Sequence, residues 1–171
     1  MIPRAAAALA CALGAALAQG QSEPRVQRIV IVERGIYQTK EHGPLPTAAS
    51  LRTGDAPALA EAKLLKATTE IPAKKGVHFG FKYRLVGEPK GGVVRLKVVT
   101  RFPKGGLRDP ETRETYKHTA SLVTETLGGV RYEGYAFDKP WELKPGRWVF
   151  EIWQDKRRLG AQEFTVVAAR D

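Results

Sequence analysis

The feature that most constrains this chain is an alternation near its end. Trp148, Phe150 and Ile152 share one parity, and Val149, Glu151 and Trp153 share the other. A period of two sends successive side chains to opposite faces of a sheet. The segment is therefore a strand with one strongly apolar face. Asp155-Lys156-Arg157-Arg158 is polar enough for a loop, and Leu159 to Val167 returns with Phe164 and Val166 on one parity. Residues 132–167 read as a corner followed by a β-hairpin. All three tryptophans fall in this stretch. Parity sends Trp148 inward as a core anchor, which leaves Trp153 and Trp141 as candidates for exposed contacts.

The rest of the chain repeats the alternation. Val26 to Val32 is rich in β-branched residues and continues through Gly35 to Tyr37, with the glycine marking a bulge or a close backbone approach. Residues 38–62 break the rhythm with Pro44, Pro46, Gly54 and Pro57, which predicts a long irregular connection. Residues 58–67 have helix-favouring composition, but Leu64 to Ile71, with Thr68-Thr69, reads better as an edge strand. Val77, Phe79, Phe81, Tyr83 and Leu85 alternate with polar residues, as do Val94, Leu96 and Val98. Gly87 to Gly92 between them suggests a hairpin. Tyr116 to Thr126 and Val130 to Phe137, joined at Gly128-Gly129, complete about eight strands. Upstream of Trp148, the L-x-P-G-x-W of Leu143 to Trp148 is similar to the corner before the penultimate strand of immunoglobulin-like and fibronectin-like sandwiches. Trp148 stands where that corner usually has tyrosine, so the hydroxyl-to-backbone bond lacks its hydroxyl. The expected fold is an all-β, immunoglobulin-like antiparallel β-sandwich.

The first residues follow a different pattern. Arg4 precedes an apolar run from Ala5 to Leu17, and Ala16-Leu17-Ala18 fits a small-x-small cleavage site. Residues 1–18 read as a secretory signal peptide, since about 13 apolar residues fall short of the roughly 20 that span a bilayer. A lipoprotein reading at Cys11 is disfavoured by the poor lipobox Ala8-Leu9-Ala10. Residues 19–171 are then one domain, exported to the periplasm or secreted. Cys11 is the sole cysteine, so the exported chain would have no disulfide or thiolate ligand. The formal net charge of +10 falls by one when Arg4 is removed. That balance points toward acidic proteins or anionic envelope components rather than nucleic acid.

No catalytic constellation stands out. His42, His78 and His118 share no metal-ligand spacing. Ser22, Ser50 and Ser121 lie outside nucleophile motifs. Glu133, Asp138, Glu142 and Glu151 are acids near the corner, but only their separation in space would make them a hydrolytic pair. No catalytic residue, metal site or cofactor is assigned. One pattern has physical content. If Val86 faced Val93 in a hairpin, Arg84 would oppose Arg95 and Lys82 would oppose Lys97. Like charges directly opposite cost a few tenths of a kcal/mol per pair. Lys82, Arg84, Arg95 and Lys97 are therefore the candidate anion-binding residues, with Glu133 or Glu151 as alternative internal counter-charges.

G-I-Y at Gly35 to Tyr37, F-G-F at Phe79 to Phe81, Phe102-Pro103, W-E-L-K-P-G-R-W-V-F-E-I at Trp141 to Ile152 and Q-x-F-T-V at Gln162 to Val166 stand together in this chain. In these it resembles a bacterial family, domain of unknown function 3859, over most of the exported chain, with the 38–62 connection as a departure. The resemblance implies an exported or envelope-associated domain and lends no catalytic residues. The expected function is a non-catalytic envelope binding or adaptor module that contacts an acidic partner through a basic sheet face. A small periplasmic hydrolase using carboxylates, or a chaperone or adaptor that adds a strand at a sheet edge, are the alternatives.

Overall fold

A computed structural model describes residues 23–39 and 62–169. The expected signal peptide, Cys11, His42 and nearly all of the 38–62 connection lie outside the described residues. The strands are β1 (Arg25–Thr39), β2 (Ala62–Ala67), β3 (Glu70–Ala73), β4 (His78–Glu88), β5 (Val93–Arg101), β6 (Leu107–Arg108), β7 (Thr115–Tyr116), β8 (His118–Thr126), β9 (Val130–Ala136), β10 (Gly146–Gln154) and β11 (Arg157–Ala168). A four-stranded sheet runs β2-β1-β4-β9, a five-stranded sheet runs β3-β11-β10-β5-β8, and β6 pairs with β7. The fold is an all-β, immunoglobulin-like sandwich.

The two large sheets pack through the parities expected from the sequence. Phe79, Phe81, Tyr83 and Leu85 of β4 face Val94 and Leu96 of β5, Trp148, Phe150 and Ile152 of β10, and Phe164 and Val166 of β11. Phe79 is the hub, with ring centroids 5.2 Å from Phe137, 5.3 Å from Phe164 and 5.7 Å from Trp148. These tilted and edge-on contacts suit the quadrupoles of the rings and add to the area they bury.

The terminal hairpin forms as expected, with Trp148 opposite Phe164 and Phe150 opposite Gln162. Its turn is shorter than Asp155 to Arg158, because Arg157 and Arg158 already belong to β11. Asp155 takes a positive φ of 53° to close it. At the corner, the indole Nε1–H of fully buried Trp148 donates to the Lys144 carbonyl at 3.1 Å. The bond that a tyrosine hydroxyl usually makes is thus kept by a different donor. Gly35 is a close approach: a Cβ there would lie 1.9 Å from the Lys66 carbonyl oxygen of β2.

Three sequence expectations fail. Leu64 to Ile71 is not one strand, since the chain leaves β2 at Ala67, crosses through Thr68-Thr69 and enters β3 in the other sheet. Val77–Val86 and Val93–Arg101 do not form a hairpin. β4 pairs laterally with β1 and β9, while β5 pairs with β10 and β8. The four residues between β4 and β5 instead form an arch from one sheet to the other, spanning the about 10 Å that separates packed sheets. The same holds at Gly128-Gly129, where β8 and β9 lie in opposite sheets. The two arches are bonded to each other, Leu127 N–H to the Gly92 carbonyl at 2.9 Å and Gly128 N–H to the Leu85 carbonyl at 2.8 Å. Alternation identifies the buried side of a strand, and it is the same whether a neighbour lies beside it or across the core.

Candidate binding face

The arch divides the four cations. Lys82 and Arg84 stand on the outer face of the four-stranded sheet, and Arg95 and Lys97 on the outer face of the five-stranded sheet. The structure does not bring them together, and the proposed Arg84/Arg95 and Lys82/Lys97 oppositions do not exist. Lys82 has an internal counter-charge, with its Nζ 2.9 Å from Glu33 Oε1. It also lies 5.9 Å from the centroid of the Tyr37 ring, which packs edge-on against Tyr132 at 4.6 Å. Arg84 is exposed between Val30 and Val130 in register.

The other pair joins a larger arrangement. On β10 the outward residues are Val149, Glu151 and Trp153, and register sets them beside Arg101, Val99 and Lys97 of β5. Glu151 is the centre. Its carboxylate accepts from Arg101 Nε at 3.0 Å, from Arg158 Nη1 at 3.4 Å and from the Trp153 indole at 3.1 Å. Burial alone would raise the Glu151 carboxyl. The Arg101 and Trp153 hydrogen bonds and the two guanidinium charges outweigh it and hold the group below the usual carboxylate range. Lys97 Nζ lies 5.6 Å from the Trp153 ring centroid, a geometry in which the ring's negative face attracts the ammonium.

Charge does not balance on this face. Two guanidiniums, with about half of each side chain exposed, share one carboxylate that is nearly covered. Arg95 and Lys97 add two exposed cations with no ion pair among the described residues. At the far end Arg147 and Glu163 pair at 2.6 Å. Arg101, on the parity of Arg95 and Lys97, was legible as part of this row, whereas Arg158 was obscured by its assignment to the loop.

The remaining acids do other work. Glu142 is fully buried in a 3₁₀ turn, Pro140–Glu142. Its Oε2 accepts the Asp138 and Lys139 amides at 2.8 Å each, and its Oε1 accepts the Tyr135 hydroxyl at 2.9 Å. That is a structural cap. Glu133 points between the sheets beside the Arg131–Glu125 ion pair. Burial pushes its carboxyl up to about 8, opposed by a bond from the Gly134 backbone and reinforced by the Glu125 charge. His78 Nδ1 lies 2.7 Å from Thr39 Oγ1, and His118 is exposed at the start of β8. Among the described residues no group of histidine, cysteine and acidic side chains is arranged to hold a metal. Trp141 is half-buried and stacks on Tyr116 with centroids 6.4 Å apart.

An open groove of about 760 Å³ lies at one end of the sandwich, lined by Glu23, Arg25, Glu88, Gln154, Asp155 and Arg157 among others. Its walls are cross-linked: Gln154 Oε1 accepts the Val26 amide at 3.0 Å, and Arg157 donates to the Val26 and Gln27 carbonyls.

Comparison with known proteins agrees with this architecture. The family described as Domain of unknown function (DUF3859) matches residues 25–166. An immunoglobulin-like protein from Pseudomonas aeruginosa is similar in structure, with a TM-score of 0.56 and 25% identity over 86% of this chain and 99% of that one. An alkylpurine DNA glycosylase, AlkC, from Pseudomonas fluorescens matches at a TM-score of 0.36 and 16% identity, over 57% of this chain and 27% of that one. A GH3 β-glucosidase from Bifidobacterium adolescentis matches at 0.31 and 10%, over 54% and 15%. No curated protein matches.

Proposed function

The chain belongs to the DUF3859 family, whose description carries no reaction, and from that premise we propose a non-catalytic binding or adaptor module of the bacterial envelope. Its binding surface is the outer face of the five-stranded sheet, and its partner is an acidic protein or an anionic envelope component. The observation that carries this reading is the unequal sharing of Glu151 by Arg101 and Arg158, with Arg95 and Lys97 beside them. Such a field raises the local concentration of anionic partners and weakens with salt. The N-terminal pattern supports export to the periplasm or secretion. Two of the four acids near the corner are engaged, Glu142 by three donors and Glu151 by two arginines and an indole, which favours binding over catalysis at those two residues.

Charge reversal on each sheet tests this. An Arg95→Glu/Lys97→Glu variant should lose about tenfold or more in affinity for an acidic protein, anionic vesicles or lipopolysaccharide, whichever the wild type binds. A Lys82→Glu/Arg84→Glu variant should bind like the wild type. Equal binding by the first variant would overturn the reading. Cell fractionation tests the location.

A further inference from the structure

The four strands that end the two large sheets are not equally protected. An exposed strand edge is a template for pairing, and proteins blunt such edges with lysine, proline, bulges or shortness. β2 carries Lys63 and Lys66, and its register with β1 shifts at Ile36/Tyr37. β3 is four residues long and contains Pro72. β9 turns the backbone of Val130, Tyr132, Gly134 and Ala136 outward, but Gly134 and Ala136 are buried. β8 has none of these devices.

β8 runs nine residues against β5, from Arg101 opposite His118 to Val93 opposite Thr126, without a register shift. Phe102 N–H bonds the Lys117 carbonyl at 3.0 Å, and Leu127 N–H bonds the Gly92 carbonyl at 2.9 Å. Antiparallel ladders alternate bonded and non-bonded pairs, so odd-numbered β8 residues spend their backbone groups on β5. The N–H and C=O groups of His118, Ala120, Leu122 and Thr124 point away from it. All four residues are exposed, and Leu122 is 58% exposed.

We infer that β8 is a docking edge on which an extended, acidic segment of another polypeptide adds as a sixth strand of this sheet. The inference rests on the acidic-partner reading above and narrows it to a strand-forming peptide. An added strand would lie two strand spacings, about 10 Å, from β5. Arg95 is exposed on that strand with no ion pair among the described residues, while Lys97 and Arg101 lean the other way, onto Trp153 and Glu151 of β10. An acidic side chain at an outward position of the added strand meets Arg95, the positive field of Lys97 and Arg101 adds at longer range, and one apolar side chain covers Leu122. Main-chain bonds supply affinity and alternate side chains supply selectivity, as in other strand additions. A second copy fits less well. Each copy carries a formal net charge of +10, and antiparallel β8 pairing would place two rows of the same cations on one face.

The probe is a synthetic peptide of about ten residues alternating glutamate and threonine with one central leucine, titrated into the full chain by fluorescence anisotropy. Binding should slow amide exchange at His118, Ala120, Leu122 and Thr124. N-methylation of the peptide at alternate residues should weaken binding about tenfold or more in one of the two registers. Leu122→Pro removes a donor that β5 does not use and should weaken binding similarly. The N-methylated peptides provide the same test with the protein unaltered. Equal binding by both N-methylated peptides, or no binding of the parent peptide, would overturn the docking edge. If these changes have no effect while Arg95→Glu/Lys97→Glu abolishes peptide binding, the edge inference fails and the basic-face reading stands. If charge reversal has no effect, the basic-face reading fails and takes this inference with it. A dimer in sedimentation whose β8 amides are protected without peptide would also overturn the inference, in favour of self-association.

Discussion

Trp148 and Glu142 hold the corner from opposite chemistries. Trp148 fills the core and spends its single donor on the Lys144 carbonyl. Trp148→Phe should cost about 2–3 kcal/mol in urea denaturation, combining lost packing with a carbonyl left unpaired. Glu142 gathers two backbone amides and a hydroxyl. Glu142→Ala should cost at least about 2 kcal/mol, because it leaves two amides and a buried hydroxyl without their acceptor. Glu133 acts through pH. Its ordinary value of 4.5 is raised by burial to about 8 in the folded chain, so the native state holds a proton that the unfolded state releases across that window. Stability should therefore fall as pH rises from about 4.5 through about 8. The urea midpoint should follow this slope, and Glu133→Gln should flatten it. The corner was legible from L-x-P-G-x-W, and Trp148's inward direction from parity. The rescue of the corner bond by an indole was not, because it depends on where Nε1 points once the ring is packed.

At the scale of elements, the strands were legible and their neighbours were not. The alternation of Val77 to Leu85 and of Val94 to Val98 holds in β4 and β5, and every residue on those apolar parities faces the core. A hairpin and an arch bury the same parity, so the pattern alone cannot separate Arg84 from Arg95. That ambiguity split the candidate site. It also hid the meeting of Glu151 with Arg101 and Arg158, which converge only because β10 lies between β5 and β11. The division of 64–71 into β2 and β3 was obscured for a related reason, since a crossing at Thr68-Thr69 uses residues equally at home within a strand. Gly35 was legible as a close approach. Gly35→Ala should drive a Cβ into the Lys66 carbonyl and cost about 1–3 kcal/mol, with amide exchange quickening first at the β1–β2 ladder.

At the scale of the molecule, Glu151 couples stability to binding. Its carboxyl is held low by Arg101, Trp153 and Arg158 despite burial, so its contribution is present above the usual carboxylate range and is lost as pH falls through its depressed value. Glu151→Gln should lower stability while tightening the hold on an acidic partner, because both guanidiniums are released. A thermal melt and an acidic-peptide titration on the same variant separate the two effects. The arches between the sheets bear on how the chain reaches this state. They place sequence neighbours in opposite sheets, so ladders such as Val86 with Arg28, or Val98 with Ile152, join distant parts of the chain. Such pairings carry a loop-closure cost before they gain contacts. Among the paired strands of the two large sheets, β10 and β11 alone are joined by as few as two residues, Asp155-Lys156. Vectorial synthesis delivers that hairpin after all the other described strands. The five-stranded sheet therefore cannot be completed until that hairpin has been made.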